Sequence, residues 1–399
     1  MAFGALKGGT FILTVLAQFW LTFCPVQTRD GFVVSDETNR RDAVNQQVDS
    51  TQAEMMLNLL RSSVVGRVDP RMVGSILDAH GTYLIISQQN ISRTVTREQY
   101  RTLLLSMSSG ELPDIAPADL MERSRRGVEG LRKDVWPSLR WGRTNTSLLA
   151  QRIEEVKRLD LSHNAVALAS RFLPERVALS PRLYVVIGGR AGAASLAGDE
   201  IYFDVLATSY RAANGTLQYP TAAQIGEYFA HEIHHLGLSQ IIDRTRRRLR
   251  LSNSEQRAFN FLTALIMEGG ASYLINGHRS LRVMRRDPQF AETLKKSDEL
   301  VKLSEHVLRS LLEDNLDGEA YEKATTPFLG SGWHSAGATM LAAIDRVGGL
   351  RAVLKVLRDP RRLLVAYNRA VTKFQSNPAP PVFDARLVKR ISAMGTVSR

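Results

Sequence analysis

Apolar and polar positions change their spacing several times along this chain. Lys7 precedes an almost unbroken apolar run from Phe11 to Phe23, which ends at Pro25 and gives way to polar sequence from about Asp30 to Asn45. From there to about Phe172 apolar residues recur at helical intervals with polar joints. In Gln151 to Leu161, for example, Ile153, Val156 and Leu159 share one side. Between Leu183 and Val205 the pattern shortens. Leu183 to Ile187 is a β-branched run closed by Gly188-Gly189, and Glu200 to Val205 reads as a second strand beyond a loop of small residues. Together they predict a small sheet. Helical spacing returns at Thr221 and dominates to the end. Asn377-Pro378-Ala379-Pro380-Pro381 breaks it before a last short helix near Ala385 to Met394.

Two of the later helices carry clear start signals. Thr221 with Gln224, and Ser252 with Glu255, have the spacing of capping boxes. Gly237 offers a stop for the first helix, and the second runs to about Ile275. The divisions that follow are residues 1–28, a signal peptide or N-terminal anchor; 29–180, a helical N-terminal region; 181–276, a core bearing the candidate site; and 277–399, a helical C-terminal region completing the cleft.

Composition narrows the chemistry. Cys24 is the single cysteine and lies in the N-terminal apolar stretch, which excludes disulfides and cysteine zinc ribbons from the folded part. Any metal site must then use His, Asp and Glu. The net charge of +12 raises the question of nucleic acid. The one dense run, Arg244, Arg246, Arg247, Arg248 and Arg250, has no interleaved aromatics and no accompanying motif, so it reads as a solvated basic face. No nucleic-acid partner is expected, while attraction to anionic lipid or acidic substrates stays open. The run Phe11 to Phe23 is short for a membrane span of about 20 residues and has the layout of a secretory signal. Export to the periplasm or the extracellular space is therefore expected, with the segment either cleaved or kept as a membrane anchor.

The chemistry concentrates in His231-Glu232-Ile233-His234-His235. On a helix His231 and His235 are four apart and project from one face, as two imidazoles sharing one metal ion must. Glu232 is displaced by about 100° around the helix and can reach a water held by that metal without being a ligand. This is the His-Glu-x-x-His arrangement, with Glu232 as general base. His234 is three residues from His231 but would leave His235 unexplained, and is placed behind the ligands or at the surface. A catalytic zinc takes three protein ligands. On the second helix Phe261, Leu265, Glu268 and Ser272 share one face, and a carboxylate in such an apolar stripe costs several kcal/mol unless a cation accompanies it. Gly269 and Gly270 make sense there if another backbone packs closely. Rivals for the third ligand are Asp199, in a hairpin loop; Asp204, which alternates with Phe203 and Val205 and would face solvent; and His278, beyond a helix end. His80, His163 and His306 have no partner at ligand spacing.

His-Glu-x-x-His followed by Glu268-Gly269-Gly270-Ala271 resembles the gluzincin metallopeptidases, and more closely a bacterial family of zinc-dependent peptidases with little assigned function. The resemblance spans roughly Leu183 to Tyr367. It implies a zincin-like α+β fold, mostly helical, with a small, mostly antiparallel sheet packed on two zinc-bearing helices. It also implies one Zn2+ per chain held by His231, His235 and Glu268, Glu232 as base and acid, and a peptide or protein substrate paired with the strand from Ile201 to Val205. Gly332-Trp333-His334-Ser335-Ala336-Gly337 opens a later helix with His334 where the family pattern has a tyrosine, and His334 stands as the candidate oxyanion partner. Two alternatives stay open: a zinc hydrolase of an ester or cell-wall amide, and an envelope-anchored binding protein with a non-catalytic zinc site.

Overall fold

The computed structural model describes residues 48–90, 95–117, 127–188, 194–206, 210–211, 217–276, 296–316, 318–328, 331–373 and 380–396. The apolar run Phe11 to Phe23, with the export expectation built on it, lies outside these residues, as does His278. The N-terminal part is helical, as its spacing predicts: α1 (Thr51–Val64), α2 (Pro70–Asp78), α3 (His80–Asn90), α4 (Arg97–Leu105), α5 (Trp136–Thr144), α6 (Thr146–Arg158) and α7 (Leu161–Arg171). Among the described residues the buried apolar side chains form a core that reaches from Val48 to Met394.

The sheet differs from expectation. Its strands are β1 (Arg182–Val186), β2 (Ala194–Ala197) and β3 (Glu200–Asp204), in the order β1-β3-β2. The loop of small residues contains β2, which forms an antiparallel hairpin with β3 around Gly198, whose φ of 67° suits glycine. β1 pairs with β3 in parallel, so the sheet is mixed and not mostly antiparallel. Short, small-residue strands such as β2 carry too little apolar alternation to be read in advance. Asp204 is another correction. It is 3% exposed, because β3 is covered on both faces, and its Oδ1 accepts a 3.0 Å bond from the Leu206 amide.

Two long helices follow. In α8 (Ala222–Arg246) the Thr221 hydroxyl accepts from the Gln224 amide at 3.3 Å and Gln224 Oε1 accepts from the Thr221 amide at 2.8 Å, which completes the box. The helix does not stop at Gly237. That glycine admits the segment behind α7, since a Cβ there would lie 3.2 Å from Leu179 Cδ2 and closer still to Leu173 Cδ1. The sheet rests on α8 through β2 and β3. The second helix, α9 (Asn253–Ala271), is capped by Ser252 and Glu255 and continues into a π turn, Ser272–Asn276. Asn253–Asn276 has the length and apolarity of a membrane span, but 89% of its most apolar window is buried inside the protein, so it is the core helix. After α10 (Ser297–Leu312) and α11 (Gly318–Thr325) comes α12 (Ser331–Arg358), broken at Gly349, where φ is 66°. Helices α13 (Leu363–Val371) and α14 (Ala385–Ala393) end the fold, the last where the pattern places it.

α12 crosses α9 at backbone contact. A Cβ on Gly269 would lie 2.7 Å from the Ala338 nitrogen and closer still to Gly337. Gly269 thus serves the close backbone approach its sequence suggests, while Gly270 faces the side chains of Leu357 and His234. Trp333 fixes the entry of α12, wedged between Phe328 and Phe261 with ring centroids 4.8 and 5.0 Å away. These contacts bring the next residue, His334, against α9 beside Glu268.

Candidate metal centre

His231 and His235 occupy one face of α8, one helical turn apart, with their rings edge to face at 4.6 Å. Glu268 comes from α9 and presents Oε2 to both, 3.7 Å from His231 Nε2 and 3.4 Å from His235 Nε2. All three residues are buried. Among the described residues these three form a group whose ligand atoms lie close enough to share one metal ion. The distances to Oε2 exceed those of good hydrogen bonds. Accordingly His235 Nε2 and Glu268 Oε2 are buried with no hydrogen-bond partner. Leaving such groups unpaired costs about 1–3 kcal/mol each, more when charged. A cation between them removes that cost, so the donor set fits zinc.

Residues 138–376 match the model of a family described as "Putative zinc dependent peptidase (DUF5700)", more than half of the 399 residues. The chain belongs to this family. The matched region runs from α5 through α13 and takes in α8, α9 and α12, all the helices that build the centre. No curated protein and no solved structure matches the chain.

His334 joins the group from α12, with Nδ1 2.7 Å from Ser272 Oγ and 3.3 Å from Glu268 Oε2. Burial lowers its pKa to about 4 against the opposing pull of Glu268, so the ring is neutral at pH 7. Glu232 is buried beside His231. Burial raises its carboxyl above the ordinary range; His235 and His231 pull it back without cancelling this, and Glu268 adds to the rise. For Glu268 burial also acts upward, but His235, His334 and His231 around it hold the carboxyl well below the ordinary range. Burial disfavours the His235 cation, and Glu268 with Glu232 outweighs that and raises it.

Other expected positions lie elsewhere. Asp199 pairs with Arg182 at 2.9 Å in its hairpin turn, and Asp204 is spent on the Leu206 amide. His234 is neither at the surface nor among the ligand atoms. It is fully buried on another face of α8, with Nε2 3.4 Å from the Phe172 carbonyl and a ring 3.5 Å from where a Gly270 Cβ would sit. His80 lies apart from this group and pairs with Glu200 Oε1 at 2.6 Å. Two residues of the centre carry no advance signal of their roles: Ser272, which holds His334, and Asn276, whose Oδ1 lies 2.5 Å from His231 Nδ1. Ser272 shares the face of Glu268 by helical spacing, whereas Asn276 is placed by the π turn, a feature that hydrophobic periodicity does not reveal.

Proposed function

We propose that the protein is a zinc-dependent peptidase of gluzincin type, with one zinc per chain held by His231, His235 and Glu268. The observation that carries this reading is the pair of unpartnered buried atoms, His235 Nε2 and Glu268 Oε2, facing each other at 3.4 Å. Zinc in such a site acidifies water and polarises a carbonyl. Glu232, buried next to His231 but outside the ligand group, takes the proton from the attacking water and passes it to the leaving nitrogen. His334 steadies the developing oxyanion through Nε2. That role requires the ring proton on Nε2, with the Ser272 hydroxyl, 2.7 Å from Nδ1, donating to it.

The strand implied for substrate pairing needs revision. β3 is interior, with β1 on one edge and β2 on the other, and has no edge to offer. On β1, Asp49 already pairs with Tyr184 along the outer side. β2, which packs on α8, is the edge along which an extended peptide would add a strand.

The test combines metal analysis of the purified chain with digestion of a broad peptide library, repeated on Glu232→Gln. The expected result is one zinc per chain, cleaved peptides, and loss of at least about a hundredfold in rate in the variant with its zinc retained. No bound zinc, or a variant within a few fold of wild type, refutes the reading. Bound zinc with hydrolysis only of esters or cell-wall amides moves it to another bond. Bound zinc with no hydrolysis leaves a non-catalytic site.

A further inference from the structure

Of the two histidines of the candidate metal group on α8, only His231 has its far ring nitrogen held among the described residues. His231 Nδ1 lies 2.5 Å from Asn276 Oδ1, whereas His235 Nδ1 is buried with no hydrogen-bond partner among the described residues. A carboxamide oxygen can only accept, so the proton of a neutral His231 sits on Nδ1 and Nε2 keeps its lone pair. Nε2 is the nitrogen that faces Glu268 Oε2. The reverse amide orientation would set an N–H against Nδ1 and force the proton onto Nε2, a tautomer that cannot bind a metal.

Asn276 reaches this position through the π turn. Eight residues beyond Glu268, it would lie about 80° around an ideal helix from that carboxylate, at about 100° per residue. The wider turn at Ser272–Asn276 takes more residues per revolution and swings Asn276 back toward the face of Glu268. Ser272, on the face of Glu268 already at ordinary helical spacing, meets His334 where this turn begins.

The geometry points to Asn276 as a positioning residue that fixes the tautomer and orientation of His231 for metal binding. This rests on the zinc reading above, and the experiment separates the two. Zinc affinity is measured on metal-free full-length protein by competition with a chromophoric chelator, for wild type, Asn276→Ala, Asn276→Asp and Glu268→Ala. Circular dichroism and melting of the metal-free proteins serve as the fold control. Asn276→Ala should bind zinc about 10–100-fold more weakly, the usual effect of removing such a support, with its metal-free melting temperature little changed. Asn276→Asp, which keeps the acceptor and loses the N–H donors, should stay within a few fold of wild type or bind more tightly. Should Asn276→Ala not fold, Asn276→Leu, close in size and without an acceptor, takes its place in the comparison. Wild-type affinity in Asn276→Ala, or equal loss in Asn276→Asp, overturns the inference. If Glu268→Ala keeps wild-type affinity, the zinc site itself is wrong; if Glu268→Ala releases zinc and Asn276→Ala does not, only the role of Asn276 fails.

Discussion

Replacing Gly337 by alanine would put a methyl group between two helix backbones. Its Cβ would sit 2.8 Å from Gly269 Cα and closer still to the Leu265 carbonyl oxygen. The carbon pair alone is about 0.7 Å inside the roughly 3.5 Å of ordinary contact. Neither obstacle can rotate away, so α9 and α12 must move apart. Overpacking of this kind costs about 1–3 kcal/mol, and the better helix propensity of alanine returns about 1 kcal/mol. With backbone on the far side the upper end applies, leaving a net loss of about 2 kcal/mol. At about 2 °C per kcal/mol, the lower end for large domains, melting should fall by about 4 °C. Two controls fix the sign. Gly226, inside α8, has nothing within 4 Å of its Cβ position, so Gly226→Ala should raise melting by up to about 2 °C. The nearest neighbours of Gly237 are the methyl ends of Leu173 and Leu179, which can turn aside, so Gly237→Ala should fall between the two. Thermal unfolding of the three metal-free variants is the assay. A Gly337→Ala protein as stable as Gly226→Ala refutes the backbone contact that brings His334 to Glu268.

Two further outcomes follow from the centre. His334→Ala should lower turnover about a hundredfold, the usual worth of one oxyanion donor, with zinc content unchanged; an unaltered rate assigns His334 to packing alone. For His234, burial, with His235 and His231 adding, lowers the pKa from an ordinary 6.5 to about 3. Below about pH 6.5 the unfolded chain takes up this proton and the folded one does not, so stability is full above that pH and falls on acidification until about pH 3. In metal-free protein, His234→Leu should remove up to about 1.4 kcal/mol per pH unit from that slope, and an identical slope in wild type and variant refutes the buried neutral imidazole.

Local rules carried the reading of this chain where the cause of a feature lies within a turn or two of the residue. The boxes at Thr221 and Ser252, the shared face of His231 and His235, and the cost of a carboxylate in the stripe of Phe261 and Leu265 are all of this kind. Gly269 and Gly270 announced a close neighbour because glycine inside a helix is costly in itself. What they could not name were the neighbours, since Gly337 beside Gly269 and Leu357 beside Gly270 lie far along the chain. The same limit explains Gly237, a stop by local rules and a packing site in the fold, and Asp204, whose alternation predicts a solvent face that tertiary cover removes. Asn276 fails for a different reason. It sits near its partner only because the core helix changes its winding after Ala271, and face assignments made at about 100° per residue lose their meaning beyond such a point. A carboxylate in an apolar helix therefore shows from sequence that a cation is owed to it, while the groups that steer that cation's ligands depend on helix geometry. For this centre the candidate ligand group was legible and the contact from Asn276 was not, and variants of Asn276 probe the part that only the fold supplies.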